Sequence, residues 1–259
     1  MSDSLLIRED ADGVCRLLLN RPDAYNSLSM ELMTALIAEL DAIAEDQSVR
    51  VVVISGSGRG FCSGHDLKQM LSEGEEDYYQ CTFETCSELM QRVVNLPIPV
   101  MAQVHGVATA AGCQLVASCD LAIASDNARF ATPGVNIGLF CSTPMVALSR
   151  AVSKKHALEM LLLGDMISAS KAADIGLVNW VVDESAVEQK TLEVAGKIAA
   201  SSRKAISIGK QAYARQIDKP LDQAYLECSR VMTENMLTHD AGEGIDAFIH
   251  KRKPHWQHR

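Results

Sequence analysis

Two short apolar runs constrain the fold of this chain most, because each suits a strand that is buried on both faces of a sheet. Residues 51–54 (Val-Val-Val-Ile) form the first run, and Val100–Val104 forms the second. Strands of this kind are typical of parallel sheets that helices cover on both sides. Strand-like and helical patterns alternate through the N-terminal two-thirds of the chain, which predicts βαβ units. The sequence therefore predicts an α/β fold.

Local patterns place further elements around these two strands. Val14–Leu19 is apolar and predicts a strand, and Ser29 is placed to cap a helix that follows it. Residues 72–77 are acidic and predict a loop, whereas residues 83–94 predict a helix. Residues 144–252 predict an almost wholly helical C-terminal third. The breaks expected within that third are near Gly164, Gly176 and Pro220.

Composition and charge exclude several classes of function. The chain has 259 residues, 47% of them hydrophobic, and a net charge of -9. An acidic surface of this kind is unsuited to nucleic acid, which requires a basic face. No apolar run approaches the roughly 18 residues that a transmembrane helix requires, so we expect no membrane span. The seven histidines lack the spacing of metal ligands, and we predict no metal site.

The cysteines and the N-terminus bear on the compartment. None of the eight cysteines forms a C-x-x-C pair, and a chain of this length does not need disulfides, so we expect reduced thiols. The first ten residues carry three acids and no apolar core, unlike a signal or transit peptide. These features predict a cytoplasmic protein.

Two segments carry the residues that suggest chemistry. Residues 61–68 (Phe-Cys-Ser-Gly-His-Asp-Leu-Lys) and residues 105–115 (His-Gly-Val-Ala-Thr-Ala-Ala-Gly-Cys-Gln-Leu) each follow a buried strand and lead into a predicted helix. Backbone N–H groups at a helix start are unpaired and lie at the positive end of the helix dipole. Two such groups directed at one point would form an oxyanion hole. Close-packed turns explain the same small residues equally well.

A resemblance to a known family favours the first interpretation. Residues 61–68 resemble the pattern F-x-A-G-x-D-[IL]-K, and residues 105–115 resemble N-G-x-A-x-G-G-G-x-E-L, both typical of the crotonase (enoyl-CoA hydratase/isomerase) superfamily. Residues 129–139 resemble its F-x-x-P-E-x-x-x-G pattern, and the run 132–144 resembles one subgroup of the family in particular. Further matches in the same order cover essentially the whole chain, at 19–22, 163–169, 172–179 and 247–253.

The resemblance implies a crotonase (ClpP-like) fold, a spiral of ββα units that forms a single family domain. It implies a spiral core over residues 1–195 and a C-terminal helical region over 196–259. In the family this last region mediates trimers, often paired into hexamers, and completes part of the coenzyme A site. The implied ligand is an acyl-CoA thioester, and no cofactor is implied apart from coenzyme A as part of the substrate.

The resemblance also assigns roles to particular residues. The backbone N–H groups of His65 and Ala111 correspond to the oxyanion donors, and alanine in place of glycine at 111 retains its N–H group. Lys68 is placed to meet a phosphate of coenzyme A, and Lys251, in the basic C-terminal segment, is a second candidate. A solvated tail is the alternative for that segment, residues 251–259. The residues assigned to substrate or coenzyme A binding are His65, Asp66, Leu67, Lys68, Ala111 and Lys251.

The sequence departs from the family where hydration is catalysed. The two family glutamates, which act as acid and base, correspond to Gln114 and Gly134. Glutamine can hold a water molecule but cannot take its proton, and glycine can do neither. Each lost acid–base group typically removes about 10²–10⁴ in rate. The positions of acids in other family members hold Asn136 and Ser142. The His65 imidazole is a candidate base, with a packing role as the alternative.

These features leave three functional hypotheses. The first is an enzyme of the enoyl-CoA hydratase/isomerase class that stabilises a thioester enolate, with efficient hydration not expected. The second is an acyl-CoA-binding protein without catalysis. The third is a thioester hydrolase that uses a water molecule held by Gln114.

Overall fold

The buried strand Val51–Gly56, β3, divides the core into two layers. In the computed structural model, which describes residues 4–259, successive side chains of β3 point to opposite faces of the sheet, as the period of a strand requires. Val52 and Ile54 pack into one apolar cluster, and Val51 and Val53 pack into the other. Full burial of each such side chain stabilises the fold by about 1.5–3 kcal/mol.

Within residues 4–259, nine strands form two sheets. The large sheet has the order β1-β2-β3-β4-β6-β9, and the small sheet has the order β5-β7-β8. The strands are β1 (Leu6–Ala11), β2 (Val14–Leu19), β3 (Val51–Gly56), β4 (Val100–Val104), β5 (Val107–Thr109), β6 (Leu121–Ser125), β7 (Arg129–Ala131), β8 (Ile167–Ser168) and β9 (Trp180–Val182).

Eleven α-helices lie within the described residues, and three short 3₁₀ turns accompany them at Pro22–Ala24, Pro133–Ile137 and Glu184–Ala186. The helices are α1 (Met30–Glu45), α2 (Leu67–Glu73), α3 (Glu76–Asn95), α4 (Ala111–Ser118), α5 (Ser142–Ala151), α6 (Lys154–Leu163), α7 (Ala169–Asp174), α8 (Val187–Ala199), α9 (Arg203–Gln216), α10 (Leu221–Met236) and α11 (His239–Ile249).

The strand pairings produce a spiral. Only β1 and β2 are antiparallel in the large sheet, and every other neighbouring pair in that sheet is parallel, which confirms the predicted α/β architecture. After α3 the chain contributes β4 to the large sheet and then β5 to the small sheet. It repeats this step with β6 in the large sheet and β7 in the small one. A helix follows each step, α4 after β5 and α5 after β7, so each turn of the spiral is a ββα unit.

Different helices pack on the two faces of the large sheet. Helices α1, α3 and α4 lie on the side of Val52 and Ile54, where they form the larger cluster. Helix α8 covers the opposite side through Val187, Val194 and Ala195. The predicted division between residues 195 and 196 falls inside α8, and that division remains a prediction.

Several local predictions are confirmed and others are wrong. The strand Val14–Leu19 has its predicted bounds, and the Ser29 hydroxyl caps α1 by accepting a hydrogen bond from the Leu32 N–H at 3.3 Å. The loop predicted over 72–77 is wrong, because α2 continues to Glu73 and α3 begins at Glu76. Gly74, with φ of 61°, makes the left-handed turn between these helices. The C-terminal third also contains β8 and β9, which the helical prediction omitted.

The C-terminal segment is not a solvated tail. The carboxylate of Asp240 accepts hydrogen bonds from the backbone N–H groups of Gln257 at 2.8 Å and His258 at 2.9 Å. It also accepts one from the Ser202 hydroxyl at 2.5 Å, and the Trp256 indole donates to the Ala200 carbonyl at 2.8 Å. The buried Asp240 carboxylate, in the first turn of α11, therefore fixes the end of the chain beside Ser202 at the start of α9.

Candidate active site

The backbone N–H group of His65, in the loop between β3 and α2, is unpaired among the described residues. Leu28 donates its N–H to the Gly64 carbonyl at 2.7 Å and accepts one from Asp66 at 3.2 Å. His65 lies between these two bonded residues in a parallel bridge with Leu28. Because N–H groups alternate in direction along extended chain, the His65 N–H points away from Leu28. It donates to no residue within 4–259.

Helix α4 supplies a second free donor. The Ala110 N–H donates to the Ala131 carbonyl at 2.9 Å, and the helix begins at the next residue, Ala111. The Ala111 N–H has no acceptor in the described part of the chain, as the first turn of a helix requires unless a cap is present. Seven of the eight residues of α4 are buried, so this helix start lies inside the protein.

The two segments touch at small residues. A Cβ atom added to Gly64 would lie 3.3 Å from the Ala111 nitrogen, and one added to Gly112 would lie 2.1 Å from the Cys62 carbonyl oxygen. The Thr109 hydroxyl also donates to the Ser63 carbonyl at 3.0 Å. Only glycine at 64 and 112 allows this approach of backbone to backbone. The free N–H groups of His65 and Ala111 thus belong to neighbouring segments.

The His65 side chain packs inside the protein. Its ring meets the Phe83 ring edge to face, with centroids 5.4 Å apart and planes at 83°. Its Nε2 atom is buried and has no hydrogen-bond partner among the described residues. Burial lowers the pKa of the imidazole to about 4, so it is neutral at pH 7. No group orients the ring, and these contacts favour the packing role over that of a base near neutral pH.

Gln114 lies one turn beyond Ala111 on the buried face of α4. Only 4% of its surface is exposed, and its Oε1 atom accepts a hydrogen bond from the Cys86 thiol, with a sulfur–oxygen distance of 3.8 Å. Burial raises the pKa of Cys86 to about 12, which keeps the thiol protonated as the donor. The Nε2 group of Gln114 donates to no described residue. Cys86, on α3, is a site residue that the sequence did not indicate.

Gly134 lies in the 3₁₀ turn Pro133–Ile137, and a cysteine has taken the adjoining space. Its N–H donates to Cys141 Sγ at 3.3 Å. A Cβ atom at position 134 would lie 3.0 Å from the same sulfur atom. A side chain at position 134 would therefore require Cys141 to shift slightly. The nearby Asn136 donates to the Gly164 carbonyl at 3.4 Å and supplies no acid.

The Asp66 side chain binds other residues of the protein. Its carboxylate caps α2 by accepting the Gln69 N–H at 3.2 Å, and it pairs with Arg21 at 2.8 Å. Arg21 also donates to the Ser27 carbonyl at 2.6 Å. The ion pair therefore links the segment from Arg21 to Ser27 with the loop that contains His65. Burial raises the pKa of Asp66, but the hydrogen bonds from Arg21 and Gln69 lower it more, and the net pKa lies below the usual value.

The predicted coenzyme A contacts lie at two places. Leu67 and Lys68 are exposed on the first turn of α2, directly after His65. Lys251 follows α11, which packs on α9 and α10, so it belongs to the C-terminal helical layer. Its neighbour Arg252 is held by Glu243 and Asp246, each at 2.6 Å. The structure therefore brings His65, Ala111 and Gln114 together and places Lys251 on a different layer.

Metal and membrane sites are not found in the described residues. Within residues 4–259, no three His, Cys, Asp or Glu side chains gather in a way that could hold a metal ion. Each of the eight cysteines is a free thiol. No helix in this part of the chain combines the length and apolarity needed to cross a bilayer.

A ββα spiral with unpaired N–H groups at His65 and at the buried start of α4 is typical of the crotonase class. The chain belongs to the enoyl-CoA hydratase/isomerase family, whose sequence model matches residues 9–259. The fold and family predictions are thereby confirmed. The subgroup resemblance of the run 132–144 is confirmed too, because close relatives are named enoyl-CoA hydratase domain-containing protein 3.

Three comparisons describe this relationship. The Xenopus laevis protein named enoyl-CoA hydratase domain-containing protein 3, mitochondrial, is 48% identical, and the match covers 98% of this chain and 86% of that protein. A crystal structure of enoyl-CoA hydratase from Mycobacterium smegmatis has a TM-score of 0.96 at 48% identity, covering 98% of this chain and 99% of the other. The human domain-containing protein 3 has a TM-score of 0.95 at 46% identity, covering 98% and 100%.

Proposed function

We propose that the protein binds acyl-CoA thioesters and stabilises their enolate form, as an enzyme of the enoyl-CoA hydratase/isomerase class. The observation that carries this proposal is the pair of unpaired N–H groups at His65 and Ala111, in segments that touch through Gly64. Membership of the family supports an acyl-CoA thioester as the ligand. The thioester carbonyl oxygen is the acceptor that both groups would share.

The energetic role of the two donors follows from the charge that develops on the thioester oxygen. When an acyl-CoA loses its α-proton, negative charge moves to the carbonyl oxygen, and preorganised donors bind this form more tightly than the neutral one. Removal of one such donor typically costs about 10²–10³-fold in rate. The Ala111 N–H also lies at the positive end of the α4 dipole, which adds to the same effect.

Coenzyme A binding is proposed at the exposed residues that follow the site. Lys68 is the second residue of α2 and is free of ion pairs with the described residues, so it can meet a phosphate as a point charge. Lys251 belongs to the C-terminal layer and is proposed to act across a subunit boundary. The backbone of residues 65–68 would line the path of the pantetheine chain, since the Asp66 carboxylate is already occupied.

A trimer, alone or paired into a hexamer, is proposed from the C-terminal helices α9–α11. Leu237 and Phe248 expose 82% and 85% of their surfaces, and Tyr213 and Leu226 are exposed with them. Large apolar side chains exposed in this number on three helices are typical of an interface. Light scattering of the purified protein tests the assembly. A cytoplasmic location is also proposed, in contrast to relatives named mitochondrial, and cell fractionation tests it.

Binding without catalysis is a second candidate, and the residues at the two family glutamate positions favour it. Gln114 and Gly134 carry no acid, and the neutral His65 imidazole, with a pKa of about 4, is a weak base. The hydrolase hypothesis is less favoured, because the Gln114 amide cannot take a proton from an attacking water molecule.

The test compares calorimetric binding of crotonyl-CoA with that of free coenzyme A, and follows crotonyl-CoA hydration by loss of enoyl absorbance. Crotonyl-CoA that binds no more tightly than coenzyme A, without turnover, would refute the proposal. Tighter binding without turnover selects the non-catalytic form, and turnover above a buffer blank supports the enzyme.

A matched pair of variants isolates the donor. Ala111→Pro removes the N–H at the first position of α4, where proline is tolerated in helices. Lys154→Pro makes the same change at the exposed start of α6. We expect only Ala111→Pro to lose the advantage of crotonyl-CoA over coenzyme A, with thermal unfolding as the check on folding.

A further inference from the structure

Helix α11 buries little apolar surface of its own. Only two of its eleven residues are buried, Asp240 and Ala247, whereas Ile245 and Phe248 are exposed. Segments with few buried apolar contacts open at a lower free energy than the rest of a protein. Polar contacts with the segment that follows, residues 252–259, therefore contribute much of the attachment of α11. We call this segment the C-terminal strap.

The C-terminal strap runs back along α11 toward its first turn. The Glu243 carboxylate accepts a hydrogen bond from the His255 N–H at 2.7 Å. Three residues earlier on the helix, the Asp240 N–H donates to the main-chain oxygen of Arg259 at 3.2 Å. The direction of the strap is thus opposite to that of α11, and its last residues lie at the start of the helix.

One contact of the strap requires an unprotonated histidine. His258 Nδ1 accepts a hydrogen bond from the N–H of Arg203, the first residue of α9, at 3.1 Å. An imidazole nitrogen that accepts a hydrogen bond carries no proton, whereas both nitrogens of the imidazolium cation are donors. Protonation of His258 would therefore replace this hydrogen bond with two N–H groups that face each other.

The charged groups around His258 come from three elements. Arg50 precedes β3, Arg203 begins α9, and Asp240 lies in the first turn of α11. Burial lowers the pKa of His258 most, and the two arginine cations lower it further, whereas the Asp240 carboxylate raises it. The net pKa lies below the ordinary value of 6.5. His239 also faces this carboxylate, with its Nδ1 atom 3.5 Å from Asp240 Oδ1.

We propose that the C-terminal strap is a pH-sensitive device, docked while His258 is neutral and released when His258 is protonated. The released strap places the imidazole in solvent, where it titrates at its ordinary pKa of about 6.5. Because the pKa is lower in the docked state, docking is at full strength above pH 6.5 and weakens as the pH falls below it. Release leaves the Arg203 N–H without its acceptor, so α9 and α11 lose one of the links between their first turns.

Hydrogen–deuterium exchange of the full-length protein at pH 7.5 and pH 5.5, with mass spectrometry of its C-terminal peptide, measures this release. The amides of Gln257 and His258 donate to Asp240 only while the strap is docked. After correction for the chemical exchange rate at each pH, we expect the protection of this peptide to fall several-fold, and at most about tenfold. One proton that binds with a pKa of about 6.5 allows no more over this range. Unchanged protection would overturn the proposal.

A peptide from α1 shows whether the strap opens by itself. The core residues of α1 are fully buried, so its amides exchange only when the core opens. The strap peptide should be less protected than the α1 peptide at both pH values. Equal protection of the two peptides would mean that the strap is released only when the whole protein unfolds, and this result would also overturn the proposal.

Two substitutions of His258 separate the acceptor from the charge. His258→Asn has Oδ1 at the same place along the side chain as Nδ1, and asparagine also adopts a φ near the 61° of this position. It should retain protection at pH 7.5 and show no fall at pH 5.5. His258→Ala lacks the acceptor and should be poorly protected at both pH values.

The matched control is His239→Gln, which removes the neighbouring histidine and leaves His258 in place. It should show the same fall in protection as the natural sequence. A His258→Asn protein whose protection falls as much as that of the natural sequence would contradict the proposal. Loss of the fall in His239→Gln would contradict it too, because the titrating group would then be His239.

Discussion

Gly64 and Ala110 face each other where the two segments with free N–H groups meet, and a Cβ atom on Gly64 would lie 2.8 Å from the Cβ atom of Ala110. Gly64 has φ of 102°, which suits only glycine, whereas Ala110 adopts φ of 49° and ψ of −119° with a side chain present. Backbone strain of this kind costs about 1–3 kcal/mol and is concentrated at functional sites. The Ala110 methyl group thus adds strain at the proposed oxyanion hole.

Replacement of Ala110 by glycine should relieve this strain. We expect Ala110→Gly to raise the free energy of unfolding by up to about 1 kcal/mol, measured by urea denaturation, because the gain exceeds the entropy that glycine adds to the unfolded chain. Ala214→Gly, at an exposed position in α9, should instead lower it by about 1 kcal/mol. A loss of stability in both variants would show that Ala110 is not strained.

The pKa of His65 predicts how stability depends on pH. Because burial lowers the pKa from its ordinary value of 6.5 to about 4, the unfolded chain binds a proton in this range that the folded protein does not. Stability is fully present above pH 6.5 and is lost as pH falls from 6.5 toward 4, by up to about 3 kcal/mol. Denaturation curves at pH 7 and pH 4.5 should show a smaller difference for His65→Gln than for the natural sequence. An equal difference in both proteins would contradict the prediction.

The docked C-terminal end should depend on Asp240. We expect Asp240→Ala to lower the free energy of unfolding by about 3 kcal/mol, since it leaves the N–H groups of Gln257 and His258 and the Ser202 hydroxyl without their acceptor. Asp222→Ala, at the exposed start of α10, should change stability by less than about 1 kcal/mol. Chemical denaturation measures both, and similar small losses would mean that the tail contributes little.

Restoring the family glutamates requires a third change. In Gly134→Glu the new Cβ atom would lie 3.0 Å from Cys141 Sγ, a contact that Cys141→Ala removes, and 3.1 Å from the Cys141 backbone nitrogen, a contact that remains. We expect the triple variant with Gln114→Glu to hydrate crotonyl-CoA at least about 10²-fold faster than the natural sequence, from the two acid–base groups regained. The variant without Cys141→Ala should gain less. A triple variant that binds crotonyl-CoA normally without any gain would show that the glutamates no longer reach the substrate.

Sequence patterns predicted the central elements well, because burial makes their signals local. The all-apolar run 51–54 predicted β3, and the cap at Ser29 predicted α1. Gly64 and Gly112 lie where two backbone segments are in close contact. The weak elements were missed where the local signal was mixed. The strand β9 has three half-buried residues, and only its pairing with β6 makes it a strand.

The candidate site residues were predicted from the sequence alone. The order of the motifs indicated the family, which the family model confirms, and the residues at 114 and 134 predict the loss of both acids, since neither inference depends on coordinates. The partners of those residues were decided only by the tertiary structure. Cys86 is 28 residues from Gln114, and Asp240 is 17 residues from Gln257. Contacts across such separations depend on how helices pack on the sheet, and packing leaves no periodic pattern in the sequence.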